Sequence, residues 1–309
     1  MKAYVLHGIN DLRYEEVDIP KIKPSEVLVK VKAAGICGSD IPRIYWSGTY
    51  SYPLIPGHEF SGVVEDTGTG NISEWKGKRV GVFPLIPCME CEACQKQHYE
   101  LCRKYSYLGS RTAGGFAEYV AVPEWNLIEL PDSVSYEAAA MLEPMSVAVH
   151  AIQSMKPKED ETIVVFGLGT IGILLVMFLM EAGMKNLLVV GNKDFQKKMV
   201  LQLGISEENY CDSRIRNVDE WIALHTGKQG ADVVFECVGK NDTISTVINS
   251  AAAGGRIQMI GNPASDMALD KNVYWKILRN QLTVKGSWNS SFTHSEKDDW
   301  HYVLKRLEK

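Results

Sequence analysis

The sequence predicts an α/β protein with two domains, the first β-rich and barrel-like and the second built on a doubly wound parallel sheet. Short β-branched runs separated by Gly and Pro fill the first half, and from about Lys158 buried-type strands alternate with helical segments. A length of 309 residues allows two domains, each with its own core. We expect the first domain at residues 1–150, the second at 151–286, and a return toward the first over 287–309.

The runs that predict the β-rich domain are rich in Val and end at turn residues. Such runs are typical of antiparallel strands in a barrel-like sheet. They are VLVKVKAAG (27–35), GVVEDTGTG (62–70), KRVGVFPL (78–85) and GGFAEYVAVP (114–123).

The second half contains apolar strands with helical segments between them, the pattern of a parallel sheet covered on both faces. The predicted strands are ETIVVFG (161–167), NLLVVG (186–191), ADVVFECVG (231–239), GGRIQMIG (254–261) and LTVKGSW (282–288). The predicted helices are 171–182, 194–203, 240–252 and an amphipathic segment at 294–309.

Charge and hydropathy exclude two classes of partner. The formal net charge is -5 with acidic and basic residues interspersed, so no basic field is available for nucleic acid. The N-terminus has no apolar signal core, and the most apolar run, 171–180, is too short to cross a bilayer. We expect a cytoplasmic protein that binds neither nucleic acid nor membranes.

A glycine-rich turn follows the first strand of the second domain and precedes a helix. It reads Gly167-Leu168-Gly169-Thr170-Ile171-Gly172. The glycines of such a turn permit close approach of a pyrophosphate, which the N–H groups of the helix N-terminus bind. The turn predicts a dinucleotide site, and the alternative is an ordinary glycine-rich turn.

The end of the second strand bears on the choice of cofactor. An NAD site usually has Asp or Glu there, which binds the ribose 2′-hydroxyl. This chain has Gly191, then Asn192 and Lys193. A missing carboxylate and an added ammonium suit a 2′-phosphate, which favours NADP over NAD. The alternatives are that Asp194 takes the ribose role or that Lys193 is only a solvated lysine.

Four of the seven cysteines lie close together on a predicted loop. Cys88, Cys91, Cys94 and Cys102 have the spacing C-x2-C-x2-C-x7-C, and four thiolates satisfy tetrahedral zinc. A closed shell leaves no position for water, so we expect a structural zinc that holds the loop. The alternatives are an iron–sulfur cluster and a nucleic-acid zinc ribbon.

A catalytic metal site needs ligands from separate segments and one open position. The candidates are Cys37, His58, Glu59 and Glu143, each in a turn after a strand or at a helix entrance. Any one of them alone is more often a packed core residue. Their occurrence together with the cysteine cluster and the glycine turn favours a metal, and either glutamate can complete its shell.

The order of these motifs resembles the zinc-containing medium-chain alcohol and polyol dehydrogenases over nearly the whole chain. The motifs are GICGSD (35–40), GHEFSG (57–62), the four cysteines, GGFAEY (114–119), LEP (142–144) and GLGTIG (167–172). The resemblance implies a GroES-like catalytic domain, a Rossmann domain, two zinc ions per chain and NAD(P). It also implies that Cys37, His58 and a glutamate hold the catalytic zinc and that Ser39 passes the substrate proton to solvent. We further expect a homo-oligomer, a dimer or a tetramer.

A closer likeness links the chain to members of that family that oxidise galactitol 1-phosphate or a related hexitol phosphate. It is carried by DIPRIY (40–45) with Ser47-Gly48, by LGSR (108–111) and by GSW (286–288). We expect Arg43 and Arg111 to bind the phosphate, because a guanidinium binds phosphate through two parallel bonds. Either arginine can instead brace a loop.

Two further functions stay open. One is a related sorbitol, threonine or secondary-alcohol dehydrogenase with an unphosphorylated substrate. The other is a catalytically silent, zinc-stabilised nucleotide-binding protein.

The chain departs from the family at two places. Gly191 stands where the family generally has an acid. The sequence also stops at Lys309 inside a helix-like stretch, where the family continues back into the catalytic domain, so the expectation is a shortened member or a truncated chain.

Overall fold

The chain forms two compact units, each with its own sheet. Unit 1 comprises Met1–Ser146 with Ser290–Lys309, and unit 2 comprises Val147–Asn289. These units are defined by compactness alone. The domain boundaries that we expect at residues 150 and 286 therefore stay a prediction. The computed structural model describes residues 1–69, 73–263 and 265–309.

Unit 1 is built on antiparallel strands. Its elements are β1 (Lys2–Gly8), β2 (Asp11–Glu16), β3 (Glu26–Gly35), β4 (Glu59–Thr67), β5 (Arg79–Val82), β6 (Leu85–Ile86), β7 (Ser106–Tyr107), β8 (Tyr119–Pro123) and β9 (Leu127–Glu129). The main sheet has the order β8-β3-β4-β5-β9, and β1-β2 and β6-β7 form separate pairs. The predicted run 62–70 supplies part of β4, and its last residue, Gly70, lies outside the described residues.

The core of this sheet follows from the alternation of side chains along each strand. In β3, Val27 and Val29 are fully buried, whereas Leu28 and Lys30 between and after them are only partly buried. The inward side chains pack with Val64 and other valines of the neighbouring strands. The β-branched runs of the sequence therefore form the predicted β-rich layer.

Short helices connect the strands of unit 1. They are α1 (Asp40–Tyr45), α2 (Glu92–Gln95) and α3 (Tyr136–Ala140), followed by the longer α4 (Leu142–Met155), which continues into unit 2.

Unit 2 contains a six-stranded parallel sheet, which confirms the predicted doubly wound fold. Its order is β12-β11-β10-β13-β14-β15, so the chain moves outward from β10 and then returns to its other side at β13. Ligands of such sheets bind beyond the carboxyl ends of the strands near this reversal. The strands are β10 (Thr162–Phe166), β11 (Asn186–Gly191), β12 (Tyr210–Asp212), β13 (Ala231–Glu236), β14 (Ala251–Met259) and β15 (Thr283–Gly286). The helices are α5 (Thr170–Glu181), α6 (Asp194–Gln202), α7 (Val218–His225), α8 (Asn241–Ser250) and α9 (Lys271–Arg279).

The last segment of the chain packs into unit 1. Phe292 and Trp300, the latter in α10 (Asp299–Leu307), lie with their ring centroids 4.9 and 5.4 Å from that of Phe83. All three side chains are fully buried, so this segment completes an aromatic core in unit 1. Among the helices of the described ranges, none has both the length and the apolarity needed to span a bilayer.

Candidate active site and metal centres

Strand pairing brings three of the predicted metal ligands together. β3 and β4 run antiparallel with Gly35 opposite Glu59, so the loop that carries Cys37 lies beside His58 and Glu59. One ligand atom from each of these three side chains lies within 4.8 Å of the other two. The structure therefore assembles this group from two segments that are adjacent only in the sheet.

Gly35 makes room for the carboxylate of this group. A Cβ atom at position 35 would lie 2.4 Å from Oε2 of Glu59. Any larger residue at position 35 would displace the Glu59 carboxylate. Steric contact therefore explains why the motif has glycine there.

Asp40 contacts two members of this group, Cys37 and His58. The sequence pattern did not identify it as a site residue. It is fully buried, accepts a hydrogen bond from the Cys37 N–H at 3.1 Å and lies 3.6 Å from Nδ1 of His58. Its other partner is Arg43, whose Nη1 donates to Oδ1 at 2.5 Å. Asp40 thus contacts the Cys37 backbone, the His58 ring and the Arg43 guanidinium at the same time.

The charges of the group favour a bound cation. Burial, with the negative charge of Glu143 added, raises the pKa of Glu59 to about 7, and burial also raises the pKa of Glu143. Burial alone would lower the pKa of His58, but Asp40 and Cys37 outweigh it and hold that pKa well above its usual value. Burying an ionised carboxylate costs free energy unless a positive charge lies nearby, and a bound cation would supply that charge.

The donor set suits zinc. Cysteine sulfur, histidine nitrogen and carboxylate oxygen are the ligands of catalytic zinc sites. Nδ1 of His58 is buried and lies 3.6 Å from Oδ1 of Asp40, beyond hydrogen-bond distance, and it has no hydrogen-bond partner among the described residues. The residues present therefore fit a zinc ion.

Glu143 lies near this group but outside its set of close ligand atoms. Its Oε1 accepts a hydrogen bond from the Tyr107 hydroxyl at 3.2 Å, and the Tyr107 ring lies edge-on to His58 with centroids 5.8 Å apart. Its carboxylate interacts electrostatically with His58 and Glu59. The geometry therefore favours Glu59 over Glu143 as the carboxylate beside Cys37 and His58 in this state.

Ser39 lies beside the same cysteine. Its hydroxyl donates to Cys37 Sγ at 3.3 Å, and the side chain is partly exposed. The hydroxyl thus lies between the Cys37 sulfur and the partly exposed surface of unit 1.

The four cysteines of the second motif converge on one another. One ligand atom from each lies within 4.8 Å of the others, with Sγ–Sγ distances of 3.5 Å for Cys91–Cys94 and 4.0 Å for Cys88–Cys94. Cys102 Sγ accepts a hydrogen bond from the Cys88 N–H at 3.3 Å. Backbone N–H groups of Cys94 and Arg103 lower the pKa of Cys91 to about 6, which favours a thiolate. Four sulfur ligands at these distances fit a closed tetrahedral zinc site.

The two arginines nominated for phosphate have different surroundings. Arg43 pairs with the buried Asp40, a partner that the sequence did not reveal. Arg111 lies between two aromatic rings, with its guanidinium carbon 4.4 Å from the centroid of Tyr50 and 4.3 Å from that of Tyr105. Its Nε is buried and has no hydrogen-bond partner among the described residues, although Nη1 donates to the Tyr105 carbonyl at 3.4 Å.

The glycine-rich turn connects β10 to α5 as the sequence predicts. Gly167 has φ +88°, and a Cβ at Gly172 would lie 1.8 Å from the Gly167 carbonyl oxygen, so both positions require glycine. Gly169 is the N-cap of α5, and it and Thr170 are exposed. The first N–H groups of α5 are therefore open to an anionic ligand.

The end of β11 adjoins this turn. Gly191 is buried, and a Cβ there would lie 2.9 Å from Cδ1 of Leu168 and 3.3 Å from the hydroxyl of Tyr210. Asn192 and Lys193 are exposed. Leu168 and Tyr210 thus pack so closely against Gly191 that they leave no room for a side chain at this position.

Two stretches of the chain match known protein families. Residues 23–132 match the alcohol dehydrogenase GroES-like domain, and residues 170–309 match the zinc-binding dehydrogenase family. Galactitol 1-phosphate 5-dehydrogenase of Escherichia coli K12 is 32% identical over 308 residues, 99% of this chain and 88% of that protein. Sorbitol dehydrogenase of Bacillus subtilis is 30% identical over 301 residues, 95% of this chain and 84% of that protein.

Solved structures with the same fold include enzymes with bound nicotinamide cofactors. Galactitol-1-phosphate dehydrogenase from Escherichia coli has a TM-score of 0.92 at 31% identity, covering 99% of this chain and 88% of that one. A zinc-binding dehydrogenase from Sinorhizobium meliloti 1021, bound to NADP, has a TM-score of 0.89 at 29% identity, covering 99% and 89%. An Escherichia coli CFT073 protein described as a short chain alcohol dehydrogenase, in complex with NADH, has a TM-score of 0.89 at 27% identity, covering 99% and 87%.

Proposed function

The chain belongs to the zinc-binding alcohol and polyol dehydrogenase family, and we propose that it oxidises a hexitol phosphate with NADP as hydride acceptor. The substrate we propose is galactitol 1-phosphate or a close relative. The observation that carries the proposal is the group formed by the half-buried Cys37 with the buried His58 and Glu59, whose ligand atoms lie within 4.8 Å of one another. A reacting hydroxyl can be activated there.

We assign two zinc ions to the chain. Cys37, His58 and Glu59 hold the catalytic ion, and Glu143, which interacts electrostatically with His58 and Glu59, is the alternative carboxylate. The four cysteines hold the structural ion. A zinc ion bound at Cys37, His58 and Glu59 would act as a Lewis acid and lower the pKa of a substrate hydroxyl.

The chain's own groups orient the ligands and move the proton. Asp40 fixes the Cys37 loop through the backbone N–H and faces the ring of His58. Ser39, whose hydroxyl is 3.3 Å from Cys37 Sγ, accepts the substrate proton and passes it to solvent. The Gly167–Gly172 turn binds the pyrophosphate of the cofactor through backbone N–H groups.

We place the substrate phosphate at Arg111. Its guanidinium carbon lies 4.4 and 4.3 Å from the ring centroids of Tyr50 and Tyr105, and its Nε has no hydrogen-bond partner among the described residues. A guanidinium fixed in this way loses little entropy on binding phosphate. Arg43 keeps a secondary role at most, because Asp40 already occupies its Nη1 donor.

An unphosphorylated polyol is the second candidate substrate. The likeness to the Bacillus subtilis sorbitol dehydrogenase favours it. Arg111 would then only brace the loop between Tyr50 and Tyr105. We also retain a cytoplasmic location and a homo-oligomeric state, a dimer or a tetramer, as proposals.

A substrate panel separates the two candidates. We expect oxidation of galactitol 1-phosphate at a kcat/KM at least tenfold above that of galactitol and sorbitol, measured by absorbance of the reduced cofactor with NADP and NAD. In Arg111→Met the KM for the phosphate should rise about 10–100-fold with kcat nearly unchanged, since hydrogen bonds to a charged group contribute about 1.5–3 kcal/mol. The KM for galactitol should not change.

Arg103→Met is the matched control, because Arg103 is an exposed arginine of the same segment. It should leave both KM values unchanged. Equal use of galactitol and its phosphate, with no effect of Arg111→Met, would contradict the phosphate assignment and favour the unphosphorylated substrate.

A further inference from the structure

A cavity of about 530 Å³ lies in unit 2 at the amino ends of two strands of the parallel sheet. Gly230, the residue before β13, and Ala251, the first residue of β14, both line it. Dinucleotides bind doubly wound sheets beyond the opposite, carboxyl ends of the strands. Since β13 spans Ala231–Glu236 and a strand rises about 3.3 Å per residue, the two edges are roughly 17 Å apart. This space, the amino-edge cavity, is therefore separate from the glycine-rich turn.

Three helices line the amino-edge cavity. Helix α7 contributes residues with the i, i+3, i+4 spacing of one helix face, and α8 and α9 contribute their C-terminal ends. The residues are Asp219, Ile222 and Ala223 of α7, Asn249 of α8, and Lys276 and Asn280 at the end of α9.

Polar groups connect these three helices. Nζ of Lys276 donates to the Asn249 carbonyl at 2.9 Å, which satisfies one of the carbonyls left open at the end of α8. An ammonium has three donors, so this bond leaves Lys276 with two more. Asp219 is exposed, and desolvation raises its pKa, whereas Lys276 and Asn249 act in the opposite direction. Donors and a carboxylate acceptor thus lie side by side on the cavity wall.

The turn between α7 and β13 forms the rim of the cavity. Lys228 has φ +65° and Gly230 has φ +84°. The N–H of Lys228 donates to the Ala223 carbonyl at 2.7 Å, and the N–H of Gln229 donates to the Thr226 carbonyl at 3.0 Å. A left-handed conformation is unfavourable for lysine and persists where the surrounding structure enforces it. The rim is therefore a defined turn that holds Lys228 and Gln229 beside the cavity.

The charges around the cavity nearly cancel. Among the described residues that line it, Lys228 and Lys276 are cationic and Asp219 is anionic. The C-terminal ends of α8 and α9 each add about half a negative charge. The cavity therefore has no strong field that would favour an anion or a cation.

The remaining lining groups suit hydroxyl groups. The side-chain amides of Gln229, Asn249 and Asn280 each offer both donors and an acceptor, and a hydroxyl likewise donates and accepts. Ile222 and Ala251 add apolar contact for a carbon chain. Small-molecule sites combine such an apolar wall with a few polar groups and have volumes of about 300–1,000 Å³.

We propose that the amino-edge cavity is a binding site for an uncharged polyhydroxy compound of about the size of a hexitol. The two carboxylate oxygens of Asp219 accept from neighbouring hydroxyls, and the amides and Lys276 donate to others. The site involves neither group of metal ligands nor the glycine-rich turn, so it is additional to the site of the proposed oxidation.

Galactitol is the probe, and saturation-transfer difference NMR measures its dissociation constant. The titration is run with wild type and with Cys37→Ser, in which the candidate catalytic zinc site has lost a ligand. We expect saturable binding in both. In the Cys37→Ser background Asp219→Ala should raise the dissociation constant at least about tenfold, because hydrogen bonds to a charged group are lost.

Glu220→Ala is the matched control. Glu220 is the other acid in the first turn of α7 but is not among the described residues that line the cavity. Its substitution removes the same charge and should leave the dissociation constant within about twofold. Asn249→Ala is a second variant of the site and should weaken binding severalfold. Far-UV circular dichroism spectra that match the parent show that the variants fold.

Absence of saturable binding in Cys37→Ser overturns the proposal, as does an equal dissociation constant in Asp219→Ala and its parent. Displacement of galactitol by inorganic phosphate at constant ionic strength would show an anion site and would also overturn it. Failure of the hexitol phosphate assignment is distinguishable, because this titration needs neither cofactor nor turnover.

Discussion

Asp40 connects the groups around the candidate zinc site. It binds the backbone of Cys37 and the guanidinium of Arg43, and it faces His58. A fully buried carboxylate needs such partners, and in return it fixes the positions of the side chains that use it. Its loss should therefore affect the metal without removing a ligand.

We expect Asp40→Asn to weaken zinc binding at the Cys37 site about 10–100-fold, the usual cost of losing a residue that orients a metal ligand. Competition with a chromogenic chelator measures the affinity, and an unchanged far-UV circular dichroism spectrum shows that the fold is intact.

Asp18→Asn, at an exposed position, is the control and should keep wild-type affinity. Wild-type affinity in Asp40→Asn would show that Asp40 serves only to neutralise Arg43.

Single residues show what the sequence could and could not predict. Cys37, His58 and Glu59 were recognisable because each belongs to a short motif next to Gly. The choice between Glu59 and Glu143 was not, because it depends on how β3 pairs with β4 and where α4 begins. The pairing of Arg43 with Asp40 could not be predicted either, because an arginine that pairs with a nearby aspartate and an arginine that binds phosphate look the same in a sequence.

The helix α10 begins at Asp298, an N-cap whose side chain accepts several hydrogen bonds. Asp298 accepts hydrogen bonds from the backbone N–H groups of His301 at 2.9 Å and Thr293 at 2.8 Å, and lies 2.8 Å from Nδ1 of His301. Burial alone would raise the pKa of Asp298, but the bonds to His301 and Thr293 outweigh it and the pKa is lowered. The cap thus stabilises the folded state in its ionised form.

We expect Asp298→Ala to lower the free energy of unfolding by about 2 kcal/mol at neutral pH, since a helix cap and a further buried hydrogen bond are lost. A group with a lowered folded pKa stabilises above its unfolded value and loses that contribution as the pH falls through the folded pKa. The difference between wild type and variant should therefore shrink below about pH 4.

Urea unfolding followed by tryptophan fluorescence measures this difference, because Trp300 is buried in the same helix. Asp298→Asn keeps a cap acceptor and should lose less stability than Asp298→Ala. A difference that stays constant down to pH 3 would contradict the role of the ionised cap.

The elements that could be predicted are those with long, regular patterns. The strands β10, β11 and β13 are continuous apolar runs, and α5 follows a glycine turn. By contrast β12 has only 3 residues, too few to show a hydrophobic period, so pattern alone was insufficient for it. The helix α9 is amphipathic, and the prediction missed it although its pattern is present in the sequence.

For the whole molecule, the two units carry different parts of the proposed chemistry. Unit 1 contains both groups of candidate metal ligands, and unit 2 contains the glycine-rich turn. The sequence predicted both fold types because a β-branched half and an alternating half differ in period. Side-chain partners such as Asp194 with Arg214 required the structure, since they join residues 20 positions apart at neighbouring strand ends.

Zinc content per chain distinguishes a molecule with a zinc site at Cys37, His58 and Glu59 and a separate four-cysteine zinc site from one with a single zinc site. Inductively coupled plasma mass spectrometry of the purified protein should give two zinc ions for wild type. Cys37→Ser should give one zinc ion, with the fold retained and hexitol phosphate oxidation lost. A single zinc ion in wild type, or two in Cys37→Ser, would contradict the assignment of two zinc sites.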